Sequence, residues 1–198
     1  MVGMIYIKGS FIFLVVLITM NVYIQCFADE GKYFISLYGG RATERKFLEV
    51  ARFCFTDFID SNIIVVSAGK ELGSYKDLLR LEAEGQIAKH WRYQNHWEIN
   101  AVLVLRWLKF PWDKYIDTSF ALGDGISYAT KDPKVEVDEI GWTSKVLNYL
   151  MLEWEFSLPD KQNWSVFMRN HHRSGIYGLI DDISGGSNMV CGGIRYYF

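Results

Sequence analysis

The sequence predicts an all-β fold, an eight-stranded antiparallel transmembrane β-barrel of the outer-membrane type that follows an N-terminal signal peptide. Three observations carry this prediction: a two-residue alternation of apolar and polar residues, an even number of candidate strands, and connections that alternate between long and short. No segment after residue 30 shows convincing helical periodicity. The expected domains are the signal, residues 1–28, and the barrel, residues 29–198.

The N-terminus has the composition of an export signal. Lys8 precedes the apolar run 11–20, and the small residue Ala28 precedes two acidic residues. The run is shorter than the roughly 20 residues that a spanning helix needs. These features favour a cleaved signal over an uncleaved membrane anchor. After cleavage Cys54 and Cys191 remain, and the sequence leaves open whether they pair.

The strands are read from the alternation, which is clearest in segments 79–91 and 97–107. Their odd-numbered residues are mostly apolar and their even-numbered residues are largely polar or charged, so one face is expected to meet lipid and the other to fill the lumen. Even-numbered Glu and Arg residues are expected to form an interior plug of salt bridges. The eight candidate strands are 33–42, 62–72, 78–91, 95–109, 115–129, 146–157, 164–174 and 188–198.

The connections and the aromatic residues set the expected orientation. The long connections 43–61, 130–145 and 175–187 all fall on one side, which is typical of the outer side of a bacterial outer-membrane barrel. Tryptophans gather near the strand ends, where bilayer-facing aromatic residues concentrate. The alternative is a soluble lipocalin-like barrel, whose apolar residues would face inward around a ligand.

Composition and residue spacing argue against a nucleic-acid partner, a bound metal and a cofactor. The net charge is −2 and Lys and Arg do not cluster, so the sequence predicts no nucleic-acid partner. No Cys/His spacing typical of a metal site is present, and neither a metal nor a cofactor is expected. His90 and His96 flank one outer turn and are interpreted as polar residues of the rim.

The stretch "VFMRNHHRSG", residues 166–175, carries the candidate chemistry. His172 and Ser174 are two residues apart on the seventh strand and therefore share a face, near the outer end of the barrel. An imidazole beside a hydroxyl can take its proton and make the oxygen a nucleophile for ester hydrolysis. His171 points to the opposite face, so a metal site from the two adjacent histidines is not expected.

The run R-x-x-H-x-S, here Arg169, His172 and Ser174, resembles the active-site strand of the PagL-type lipid A deacylases, with a weaker echo in residues 120–130. The resemblance implies an eight-stranded outer-membrane enzyme that removes an ester-linked acyl chain from lipid A of the lipopolysaccharide leaflet. It implies Ser174 as the nucleophile and His172 as the general base. The terminal Phe198 resembles the C-terminal signature that the outer-membrane assembly machinery reads.

The sequence departs from that family at two points. Gly175 stands where the family has an oxyanion-hole Asn and offers only its backbone N–H. No carboxylate lies a dozen residues after the serine, where the family has its acid; Asp181, Asp182 or Asn188 could take its place. The alternative function is a non-catalytic small barrel with a structural or surface-interaction role, in which these residues form a polar rim.

Overall fold

The computed structural model describes residues 31–52, 55–161 and 163–198. Eight strands follow one another in sequence order and close into one antiparallel barrel, which confirms the predicted fold class. The predicted signal peptide and Cys54 lie outside the described residues. The strands are β1 (Tyr33–Thr43), β2 (Phe58–Tyr75), β3 (Leu79–Arg92), β4 (Trp97–Trp107), β5 (Asp117–Ala129), β6 (Val146–Ser157), β7 (Trp164–Ser174) and β8 (Gly186–Tyr197).

The ring closes where the first strand meets the last. β1 pairs with β2 on one side and with β8 on the other, from Phe34 opposite Tyr197 to Thr43 opposite Asn188. Two register shifts, at Arg41/Thr43 and at Glu71/Gly73, interrupt the β1–β2 and β2–β3 ladders. With every strand paired on both sides, the barrel presents no free sheet edge.

The direction in which apolar and charged side chains point distinguishes an outer-membrane barrel from a soluble lipocalin-like barrel. Along β4, buried and exposed residues alternate without interruption. Glu98 and Arg106 point inward and are 2% and 0% exposed, whereas Leu103 points outward and is 47% exposed. Apolar residues therefore face outward and charges face inward. A lipocalin-like barrel would show the opposite arrangement.

The predicted interior plug of salt bridges is present. Glu153 lies at its centre and accepts hydrogen bonds from Arg106 at 2.8 Å, Arg169 at 2.7 Å and Arg195 at 2.9 Å. Glu98, also expected in this plug, instead bonds to the imidazoles of His90 and His171. Further ion pairs join Glu82 to Arg106, Glu84 to Arg169 and Glu155 to Arg195.

Two short helices lie in the long connections, although the sequence analysis predicted none. They are α1 (Phe47–Ala51) and α2 (Lys134–Ile140), and segments of five and seven residues are too short to show a helical repeat. We call the end of the barrel that carries them the outer end. Among the described residues, no helix is both long and apolar enough to cross a membrane.

Helix α2 plugs the outer mouth of the lumen. It follows Pro133 and ends at Gly141, whose positive φ of 92° is the usual left-handed helix terminus. Its Glu136 is fully buried and accepts hydrogen bonds from Arg173 at 2.5 Å and from Ser187 at 3.0 Å. Burial raises the pKa of Glu136, and the Arg173 guanidinium opposes this shift only in part.

Candidate functional site

The predicted site residues of β7 lie on its outward face. Asn170, His172 and Ser174 point away from the lumen, while Arg169 and His171 point into it. Strand geometry causes this separation, because successive side chains alternate between the two faces. We call Asn170, His172 and Ser174 the outer polar row. It is unusual on a wall whose other outward residues are mostly apolar.

A backbone carbonyl holds the imidazole of His172. Nδ1 of His172 lies 3.1 Å from the carbonyl oxygen of Ser187, so the Nδ1–H donates there and Nε2 keeps its lone pair. Asn188 lies directly opposite His172 in the β7–β8 ladder. Its Nδ2 donates to the carbonyl of Arg45 at 3.0 Å, and its buried Oδ1 has no hydrogen-bond partner among the described residues.

Ser174 shares the outward face with His172, but no hydrogen bond joins the two side chains in the described structure. Its neighbour on β6 is Asn148, whose Nδ2 donates to Asp124 at 2.7 Å. Asp124 is an exposed, outward-facing carboxylate on β5. Sequence reasoning missed both residues as part of this wall. The signal was an Asp and an Asn at positions where the alternation calls for apolar side chains.

The carboxylate expected behind the imidazole is not in contact with it. Asp181 and Asp182 are exposed in the 175–185 connection, and neither forms a described hydrogen bond or ion pair with His172. Both have positive φ, 49° and 54°, the left-handed conformation that Asp adopts in turns. Of the three predicted partners, only Asn188 lies beside His172, while the hydrogen-bonded partner is the Ser187 backbone.

Gly175, the predicted oxyanion donor, already uses its backbone N–H. That N–H donates to the carbonyl of Gly185 at 3.3 Å, a long bond. A Cβ at this position would come within 2.2 Å of the Ile183 carbonyl oxygen. Packing therefore requires glycine here, which gives a structural reason for the departure from the family's Asn.

An apolar cavity of about 280 Å³ lies beside the outer polar row, between the 44–57 connection and the barrel wall. Val50 and Ala51 of α1 line it from above, and Leu152, Met168 and Val190 line it from the strands. Asn170 also lines this cavity. It is 6% exposed, and neither atom of its amide group has a described hydrogen-bond partner.

Helix α1 covers part of the site. The ring of Phe47 packs on the imidazole of His172, with ring centroids 4.9 Å apart. Cys191 lies on the other side of the wall, buried in the interior cluster with Tyr38 and Phe167, and has no disulfide partner among the described residues. Its inward position separates it from the outer polar row.

The closed ring, the apolar outer face and the charged, filled lumen define a small β-barrel of the outer-membrane type. No protein-family model matches the sequence, and no curated protein matches it either. Solved structures of this type do match. Neisserial surface protein A shares 11% identity over 84% of this chain and 97% of its own, with a TM-score of 0.50.

The outer-membrane enzyme PagL shares 12% identity over 82% of this chain and 98% of its own, with a TM-score of 0.56. At such identities the similarity establishes the fold alone. The two barrels are comparable to this chain to about the same degree, so the overlap in shape does not favour an enzyme.

Proposed function

We propose that the protein is an acyl-ester hydrolase of the bacterial outer membrane that acts on lipid A in the lipopolysaccharide leaflet. Ser174 is the nucleophile and His172 is the general base. The observation that supports this most is the outer polar row, which lies next to an apolar cavity on a lipid-facing wall. Polar groups without partners in such a place cost stability and call for a functional reason.

The orientation of His172 suits a general base. Because Nδ1–H is held by the Ser187 carbonyl, Nε2 is the basic nitrogen that can take the Ser174 proton. The resulting alkoxide attacks the ester carbonyl, the alcohol leaves with the proton from Nε2, and water then hydrolyses the acyl-serine. The unpartnered Oδ1 of Asn188, beside the imidazole, can stabilise its charged form.

One donor beside Ser174 is available for the tetrahedral oxyanion. The Gly175 N–H is held by a long bond to Gly185, which a developing negative charge can replace. We assign the oxyanion to this donor. Asn170, four residues before Ser174 on the same strand, is too far away to reach the oxyanion and lines the cavity instead.

The cavity indicates where an acyl chain would lie. Its walls are mostly apolar and it is bounded by α1, so a hydrocarbon chain can enter from the lipid side. The row lies toward the outer end of the barrel, which supports an encounter with lipids of the outer leaflet. Because Phe47 packs on His172, α1 must shift for an ester to reach the imidazole.

The test is the mass of lipid A from a host that expresses the protein. We expect the loss of one acyl chain with the wild-type protein and no loss with Ser174→Ala or His172→Gln. The double variant should be no worse than either single variant, since members of a catalytic unit fail together. Ser67→Ala is the matched control, because the Ser67 hydroxyl is buried in the lumen and has no hydrogen-bond partner in the part of the chain that the structure describes.

Unchanged lipid A in wild-type cells that carry folded barrel would refute the proposal and favour the alternative, a non-catalytic barrel. The specific observations on that side are the missing His172–Ser174 hydrogen bond and the occupied Gly175 N–H. In that case the outer polar row binds headgroups or water without chemistry.

We propose that the outer-membrane assembly machinery recognises Phe198. Phe198 is 59% exposed on the outside of the barrel, at the end opposite to the outer end, and stacks on Tyr33 and Tyr196, with ring centroids 6.2 and 6.1 Å apart. Such an exposed terminal ring is available for recognition by the outer-membrane assembly machinery. Removal of Phe198 is expected to lower the amount of inserted barrel, measured by heat-modifiable mobility, and Leu158→Ala, at another exposed apolar residue, serves as the control.

A further inference from the structure

A second polar cluster lies inside the barrel at its outer end, away from the outer polar row. His90 and His96 face each other across the β3–β4 turn, and the amide of His90 donates to the carbonyl of His96 at 3.0 Å. Glu98 follows on β4, two residues after His96, so it points to the same side. One ligand atom from each of these three side chains lies within 4.8 Å of the other two.

One of these ligand atoms lacks a partner. The imidazole of His96 is 3% exposed, and its buried Nε2 has no hydrogen-bond partner in the described residues. The ring stacks on His90 with centroids 4.2 Å apart and an interplanar angle of 13°. Two stacked imidazole rings thus lie beside a buried carboxylate, and Nε2 of one ring has no described partner. Burying an unpartnered ring nitrogen costs free energy unless a ligand binds it.

We propose that His90, His96 and Glu98 bind one divalent transition-metal ion of the zinc type. Two imidazoles and a carboxylate suit zinc and its neighbours, whereas calcium and magnesium prefer oxygen ligands alone. Three protein ligands leave a fourth position for water. The sequence analysis expected no metal, because the spacing of these residues has meaning only once the β3–β4 turn brings them together.

The surrounding residues hold the ligands in place. His171 and Ser127 both contact Oε1 of Glu98, each at 3.0 Å, which leaves Oε2 directed at His90 Nε2, 2.9 Å away. The Gln94 amide lies 3.2 Å from Nδ1 of His90. Secondary contacts of this kind orient metal-binding groups in proteins.

The proton balance is local. Without metal, the Gln94 amide donates to Nδ1, and Nε2–H donates to Glu98. When a metal occupies Nε2, the ring carries its proton on Nδ1 instead and donates it to the Gln94 amide oxygen after the amide turns over. Glu98 exchanges a hydrogen bond for a metal bond.

The experiment uses the mature barrel purified in detergent without a histidine tag and stripped with a chelator. Zinc uptake is measured by elemental analysis after gel filtration, and cobalt is added as a spectroscopic probe. We expect one equivalent of zinc per chain and a cobalt visible spectrum typical of four-coordination. His96→Gln should weaken zinc binding by about a hundredfold, whereas His172→Gln, the matched control outside the lumen, should leave it unchanged.

A second measurement uses the wild-type chain alone, so that its result does not depend on whether the variants fold. Zinc should shift the imidazole resonances of His90 and His96 and leave those of His172 in place. The proposal is overturned if the stripped wild-type barrel takes up no stoichiometric zinc, if His96→Gln binds zinc as tightly as wild type, or if His172 is the ring that responds.

Discussion

The two faces of β7 differ in whether their polar side chains have hydrogen-bond or ion-pair partners. On the inner face, the guanidiniums of Arg169 and Arg173 are buried and fully bonded, to Glu84 and Glu153 and to Glu136. On the outer face, neither amide atom of Asn170 has a hydrogen-bond partner among the described residues. The inner face of β7 thus carries charges that are paired within the fold, whereas the outer face carries an amide that is not. On the function proposed above, the outer face is the one that would meet a substrate.

The largest effect is expected at the centre of the inner face. Glu153→Gln removes the charge that three buried guanidiniums share, and loss of one partner from a buried ion pair costs about 3–5 kcal/mol. We expect a large drop in the urea concentration at which half of the barrel is unfolded, measured by heat-modifiable mobility. Glu44→Gln, at an exposed residue of the 44–57 connection, should leave the midpoint unchanged. Equal stability of the two variants would remove the structural role assigned to the inner face.

A smaller effect is expected at the lipid-facing wall. Leu103→Arg places a charge near the middle of the apolar band and should destabilise the barrel by about 2–4 kcal/mol in a bilayer. Tyr115→Arg, in the connection at the opposite end and 71% exposed, should cost far less. The measurement is the free energy of unfolding in lipid vesicles. A comparable loss for both variants would contradict the orientation of the wall.

A substitution in the outer polar row should raise the stability of the barrel, whereas the two substitutions above lower it. Asn170→Leu fills the same volume without an unpartnered amide, and an unsatisfied buried polar group costs about 1–3 kcal/mol, so this variant should be more stable than wild type. Asn148→Leu, on the same wall, where Nδ2 is bonded to Asp124 and to the carbonyl of Gly125, should not gain stability. A destabilised Asn170→Leu would show that the row is structural.

The smallest effect concerns the α2 plug. Because folding raises the pKa of Glu136, the folded state binds its proton more tightly than the unfolded chain does. Docking of α2 should therefore be most stable below the ordinary pKa of a glutamate, about 4.3, and should weaken as the pH rises through the raised value. Hydrogen exchange in 130–145 measures this, and Glu136→Gln should reduce the pH dependence to the part contributed by Glu139, whose pKa burial also raises.

Most of the barrel could be predicted from the sequence because its period is local. β6 and β7 have the predicted bounds, since a lipid-facing alternation fixes them residue by residue. β2 begins at Phe58 and not at residue 62, because its first four residues, FIDS, place two apolar residues before two polar ones and so give no alternation. Helices α1 and α2 were missed because their stability comes from contacts with strands distant in sequence.

The candidate site was less predictable. The shared face of His172 and Ser174 follows from their spacing alone. The group that holds His172 does not, because it is the backbone carbonyl of Ser187, and a carbonyl carries no residue-type signal. The cavity beside Asn170 depends on where the 44–57 connection folds, which no local pattern specifies.

The pairing of β1 with β8 has a consequence for how the chain is made. Among the eight strands, translation delivers β1 first and β8 last, so the two strands that seal the ring are separated by the synthesis of all six strands between them. Until then the sheet carries two unpaired edges, which are templates for aggregation, and closure demands the most distant contact in the sequence. Such a chain benefits from being held unfolded until its last residue has been delivered, and a truncated product can never close.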